Sequence, residues 1–323
     1  MKQRKAVVAS ILVGVAVVVA GIAIYTNHAA KASVAGLPDA LNNLPSDCQF
    51  VFGMNVQKFV TSPMYTKFQQ QQTPAIGSDL SQFTLATGVD PARDINYLVA
   101  GGRAKEKTKG EGVVIVVGSF NKGAITNFIR SKAAPIEKEY AGATVLMIPE
   151  PNTTEINKGL VFLSDREMAL GDLESLKAVL DVKAGVNKSV LFNPAMAAMI
   201  NGISETEMLW FAGDAAGLMA NAPITTPLAA NIPPVQNVVG TFNITDSVTG
   251  KITATATTAD SAVKLADILR GLVALGQLSG DRNPELKMLL GGLTVSQTSN
   301  QVNLALNFPA ELIQQLQQAR SPR

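Results

Sequence analysis

This sequence predicts an α+β fold of mainly antiparallel sheets, with helices packed on one face and one N-terminal transmembrane helix in front. Three observations lead there. Residues 6–25 form an uncharged apolar run behind Lys2, Arg4 and Lys5. From Phe50 to Leu306, short apolar or alternating runs are separated by Gly, Asn and Ser turns, and hairpins outnumber strand-helix-strand crossovers. A few amphipathic stretches stand between them, the best carrying Leu265, Ile268, Leu269, Leu272 and Leu275 on one stripe.

The first run sets the expected location. Twenty residues in a helix span about 30 Å, the thickness of a bilayer's hydrocarbon core. A cleavable signal has an apolar region of about 7–15 residues, so the length favours a signal-anchor over cleavage near Ala30-Lys31-Ala32. Three basic residues before the run outnumber Lys31 after it, which places the N-terminus in the cytoplasm. The only cysteine, Cys48, lies too far downstream to be a lipidation site. The expected organisation is a cytoplasmic N-terminus at 1–5, a transmembrane span at 6–25, a tether at 26–43, and two extracytoplasmic α+β halves at 44–188 and 189–323. The expected location is the inner membrane, single-pass, with the folded part periplasmic or extracellular.

Charge excludes some partners. The chain has 27 basic and 25 acidic residues, and with Lys2, Arg4 and Lys5 set aside the exported part carries 24 against 25. Such a balance gives no electrostatic footprint for nucleic acid. One cysteine forms no intramolecular disulfide, and Cys48, before Phe50-Val51-Phe52, reads as a small buried hydrophobe.

The elements follow in order. Cys48–Asn55 alternates Phe50, Phe52 and Met54 on one face of a strand. Ser62-Pro63 opens a helix with Met64, Tyr65 and Phe68, Gln69–Pro74 is a polar loop, and Ser81–Ala86 is a short helix ended by Gly88. Ile95–Ala100 is a strand closed by Gly101-Gly102. The charged loop Arg103–Gly112 leads to the strand Val113–Val117, and Asn121 opens a helix with Ile125, Phe128 and Ile129. Strands follow at Ala143–Ile148, Leu160–Leu163 and Glu167–Leu170. Asp172 caps a helix with Leu173, Leu176, Val179 and Leu180 on one stripe. Pro194 begins a helix, Met208–Ala212 is a strand, and a Pro/Ala-rich loop spans Ala220–Pro234. Val238–Ile244 and Ile252–Thr257 form a hairpin, with Thr253, Thr255 and Thr257 on a solvated face. Asp260 or Ser261 caps the helix with the clearest apolar stripe, a hairpin turns at Ser299-Asn300, and Pro309 starts a terminal helix.

Short echoes suggest two duplicated halves. Leu98-Val99-Ala100-Gly101 is matched by Trp210-Phe211-Ala212-Gly213, and Val116-Val117-Gly118-Ser119-Phe120-Asn121 by Val238-Val239-Gly240-Thr241-Phe242-Asn243. The opening Leu44-Pro45-Ser46-Asp47 and the helix entry Ala169-Leu170-Gly171-Asp172 with Leu176 and Leu180 resemble a loose group of exported, membrane-anchored bacterial proteins classed as domains of unknown function. The resemblance implies an extracytoplasmic α+β domain and brings no catalytic residues.

Reactive chemistry is sparse. His28, the only histidine, lies three residues past the apolar run and serves neither a Ser-His-Asp triad nor a metal cluster. No phosphate-binding glycine motif occurs, and Gly101-Gly102-Arg103 reads as a tight turn. Ser261-Ala262-Val263-Lys264 matches S-x-x-K without the later elements of penicillin-binding enzymes. Asp165, Asp172 and Glu174 lack the calcium-loop pattern, and Trp210 reads as core. No catalytic, cofactor or metal residue is assigned, and no cofactor is expected.

The leading functional expectation is therefore a non-enzymatic, membrane-anchored binding or scaffold protein of the bacterial envelope with a protein partner. The first alternative is a carrier or sensor of an apolar ligand such as lipid, walled by Met147, Met196, Met199 and Met208. The second is a histidine-independent hydrolase.

Overall fold

Short apolar runs, several of them apolar at both parities, give the described residues twelve strands: β1 Phe50–Asn55, β2 Ile95–Arg103, β3 Glu111–Gly118, β4 Ile136–Tyr140, β5 Ala143–Ile148, β6 Lys158–Phe162, β7 Glu167–Asp172, β8 Leu209–Asp214, β9 Val235–Ile244, β10 Val248–Ala256, β11 Leu293–Thr298 and β12 Gln301–Phe308. The structure is a computed structural model that describes residues 37–69, 74–103, 111–149, 158–217, 232–278 and 284–312. The strands form one sheet in the order β11-β12-β10-β9-β8-β1-β2-β3-β7-β6-β5-β4. Every neighbouring pair is antiparallel.

From the central β1–β8 pair the order runs outward as β2-β3-β7-β6 on one side and as β9-β10-β12-β11 on the other. On each side a hairpin is followed by a helix, Lys122–Lys132 or Ala259–Leu278, and later by a second hairpin; β4-β5 adds an outer hairpin on the first side. This correspondence matches β2 to β9 and β3 to β10. The short sequence echoes instead match β2 to β8 and β3 to β9, one strand out of step.

Both sheet faces are apolar near the centre, and helices cover both. On the first face Val51, Val99, Ile115 and Trp210 are fully buried beneath helices Leu173–Lys183 and Pro194–Asn201, with Leu176, Val179, Met196 and Ile200 in the same core. On the second face Met54, Leu98 and Val116 pack against Val56, Phe59 and Tyr65 of helices Val56–Val60 and Pro63–Gln69. Farther along that face, Ala262, Leu265 and Ala266 of helix Ala259–Leu278 cover Ala256 and Val302. The expectation of helices on one face is corrected here: strands with apolar residues at both parities need cover on both sides. Each large aliphatic side chain sealed in this way contributes about 1.5–3 kcal/mol.

Trp210 anchors the first face. Its indole lies across Gly53, where a Cβ atom would collide with the ring, and its Nε1–H donates to Tyr97 Oη at 2.7 Å. The first core also crosses the expected boundary at 188/189, because Val190, Met196 and Ile200 share it with Leu44 and Val51. Of the expected tether, 26–36 lies outside the described residues, as does the expected span at 6–25. Residues Asp39–Asn43 form a 3-10 helix with Ala40 and Leu41 buried in the same core. Among the described residues no helix is long and apolar enough to cross a membrane.

Other elements depart from expectation. Gly101-Gly102 is not a turn: β2 continues through it to Arg103, and a Cβ at Gly102 would lie 2.5 Å from Glu111 O and 2.7 Å from Phe50 Cζ. The helix expected at Ser81–Ala86 runs Pro74–Thr87 and ends at Gly88, whose φ is +71°. Helix Ala259–Leu278 is capped by Thr258, whose Oγ1 accepts from Ser261 N at 3.1 Å. Strand β4 and helix Pro284–Gly291 were not expected.

Candidate interaction face

The pairing registers align one row of side chains across the second face. From β11 to β5 it reads Val295, Leu304, Ile252, Gly240, Phe211, Phe52, Ala100, Val114, Leu170, Leu160 and Leu146. On β4 it stops at Glu137, opposite Leu146. At a strand spacing of about 4.8 Å, the row is roughly 50 Å wide. Opposed residues in a sheet share a face, so no polar side chain interrupts the line between Val295 and Leu146.

The row is unevenly covered. Leu146 and Leu160 are buried at one end, and Val295 packs beneath helix Ala259–Leu278 at the other. Between them Ile252, Phe211, Phe52, Ala100 and Val114 are only half-buried. Phe242, also half-buried, broadens this stretch: its ring stacks on Phe211 with centroids 6.2 Å apart and planes at 27°. The Phe211 ring lies across Gly240, where the absence of a side chain lets it rest on β9. The opposite face of this half carries Thr241, Lys251, Thr253, Asn303 and Ser296, with Thr253 Oγ1 donating to Asn303 Oδ1 at 2.8 Å. On this half of the sheet the opposite face is thus wet, and the second face presents an apolar saddle between its more deeply covered ends.

The groups singled out in sequence have structural surroundings. Cys48 is buried, and burial chiefly, with Asp47 beside it, pushes its thiol up to about 12, so it is protonated and inert at neutral pH. Tyr97 is likewise pushed up to about 12 by burial, against the lowering effect of its bond to Trp210. Arg103 bridges Asp47 and Glu111, the latter with Nη2 to Oε2 at 2.7 Å, and the bond to Glu111 holds its guanidinium firmly charged. Asp172 accepts from Ser175 N at 2.9 Å and Gly112 N at 2.9 Å, tying a helix start to β3. Glu174 pairs with Lys177 at 3.0 Å, and Asp165 with Lys122 at 2.7 Å; the hydrogen bond from Lys122 lowers the Asp165 pKa. The three carboxylates do not converge, and among the described residues no cluster of His, Cys, Asp and Glu suits a metal ion.

Ser261 lies in the first turn of its helix and Lys264 is exposed. Met147 and Met196 lie in the core of the first face, against which Met199 packs, and Met208 lies in the core of the second face. His28 and residues 220–231 of the Pro/Ala-rich loop lie outside the described residues. An open cleft of about 640 Å³ is lined by Arg93, Asp94, Phe120, Asn121, Lys122 and Asp165, and its four charged groups form two local ion pairs. Sequence reading placed Phe52 and Phe211 on strands but missed the row, because strand register is set by pairings between distant segments.

No family model matches this sequence, and no curated protein matches it. Two crystal forms of the Treponema protein TP0453 are similar at the level of chain trace. Crystal form I matches with a TM-score of 0.43 and 11% identity over 90% of this chain and 98% of that one. Crystal form IV matches with 0.45 and 10% over 87% and 96%. At this level of likeness neither carries a fold or a function across.

Proposed function

We propose that this chain is a non-enzymatic binding or scaffold protein of the bacterial envelope, anchored through residues 6–25, that engages a protein partner through the apolar saddle of its sheet. The observation that carries the reading is the half-buried stretch Ile252, Phe211, Phe52, Ala100 and Val114, broadened by Phe242. Burying an aromatic pair such as Phe211 and Phe242 against a partner is the kind of contact that dominates binding energy. The groups that would serve chemistry are engaged otherwise: Cys48 is sealed, Asp172 caps a helix, and Tyr97 holds Trp210.

A photo-crosslinking amino acid at Phe211 in the full-length chain, in its own membranes, tests the proposal against the same group at Lys251 on the wet face. A defined protein adduct from Phe211 and none from Lys251 supports it. A lipid adduct from Phe211 replaces the protein partner by an apolar ligand, and equal labelling from both positions overturns the assignment of the face.

A further inference from the structure

The two edges of the sheet are unlike. Strand β4 carries Glu137, Lys138 and Glu139, the charged protection that keeps an open edge from pairing. Strand β11 reads Leu-Thr-Val-Ser-Gln-Thr, and no charged residue occurs anywhere from Met288 to Ala310. Its outer side meets no strand among the described residues.

The hairpin fixes which groups face outward. A two-residue turn, with Ser299 at φ +54°, makes Thr298 and Gln301 the closing pair of the ladder. Asn307 N donates to Gly292 O at 2.8 Å, in phase with that pattern. Hydrogen-bonded pairs therefore alternate, and the N–H and C=O groups of Leu293, Val295 and Gln297 point away from β12.

A second observation concerns the helix above. On helix Ala259–Leu278 the stripe of Leu265 and Leu269 continues, at helical spacing, to Leu272. Leu265 is 6% exposed, yet Leu272 is 40% exposed, so the sheet-facing line loses its cover as the helix runs on.

We propose that β11 pairs with β11 of a second copy, antiparallel about a two-fold axis near Val295. That register sets Val295 against Val295 of the other copy and Leu293 against Gln297. All of these lie on the second face, and the outward backbone groups meet as hydrogen-bonded pairs. Thr294 meets Ser296 on the wet face. The apolar row then passes unbroken from one copy to the next, whereas at β4 it would meet Glu137. A charge-free, self-complementary edge selects another such edge, and this chain supplies one. The proposal is independent of the partner assigned to the saddle.

The test is the mass of the full-length chain, extracted in detergent at micromolar concentration, by sedimentation or native mass spectrometry. Wild type is expected as two copies. Ser296→Lys adds an edge charge at an exposed position, and Gln297→Pro removes an outward N–H without touching a bond to β12; each weakens association at least about tenfold. Ile136→Lys, at the other edge, leaves the dimer intact. Thermal melts of the dissociated variants show that the fold is retained. A wild-type chain that stays at one copy overturns the proposal, as does a dimer that survives both β11 substitutions.

Discussion

Replacing Tyr97 by Phe removes one oxygen from the interior and leaves the Trp210 indole N–H with nothing to donate to. Trp210 is fully buried and Tyr97 is 3% exposed, so water does not take the place of the 2.7 Å bond. An orphaned buried donor costs about 1–3 kcal/mol, well above the net value of the bond itself. The ring volume is kept, so no cavity term adds to this. Trp210 is the only tryptophan in the chain, and its fluorescence reports equilibrium unfolding in urea from the site itself. The same substitution has a pH signature. Burial raises the Tyr97 phenol from 10.0 to about 12, so its contribution to stability is complete below pH 10 and is lost as pH rises through about 12. Tyr97→Phe abolishes that part of the alkaline loss. A variant within about 0.5 kcal/mol of wild type, with unchanged alkaline unfolding, would refute the claim that this bond is dry and structural.

Three further outcomes follow from the packing. Gly53→Ala drives a methyl into the Trp210 ring, and overpacking at a sealed site destabilises the fold by roughly 1–3 kcal/mol, read by the same fluorescence. Cys48 resists maleimide at pH 8 in the folded chain and reacts only once denaturant exposes it, because burial holds its pKa near 12; rapid labelling without denaturant contradicts its placement. Asp172→Ala removes the acceptor for Ser175 N and Gly112 N and lowers stability by about 1–2 kcal/mol, whereas Glu174→Ala, at an exposed ion pair, changes it by less than about 0.5 kcal/mol.

Local signals in the sequence located most of the elements. Asp172 and Asn121 mark helix starts because a short polar side chain satisfies a free backbone N–H within three residues, and both bonds are present. Non-local features were hidden. Strand β4, Ile-Glu-Lys-Glu-Tyr, lacks a hydrophobic signature because an edge strand favours charge. Gly101-Gly102 carries the composition of a turn, but the glycines make room for Phe50, Leu44 and Cys48 within a strand. Helices on both faces follow from registers that place Val51 and Phe52, adjacent in sequence, in opposite layers. The apolar row is the clearest case. Eleven strands contribute one residue each to it, and only the pairing of strands distant in sequence brings Phe211 beside Phe52 and both into line with Ile252 and Val114.

The central claim is that this row is covered by a partner where the protein works. Hydroxyl-radical footprinting of the full-length chain, in its own membranes and after purification, measures that cover side chain by side chain. The account predicts that Phe52, Phe211 and Phe242 are protected in the membranes and become reactive on purification, while Phe192, 70% exposed and away from the row, reacts equally in both. Equal reactivity of Phe52, Phe211 and Phe242 in the two preparations would contradict it.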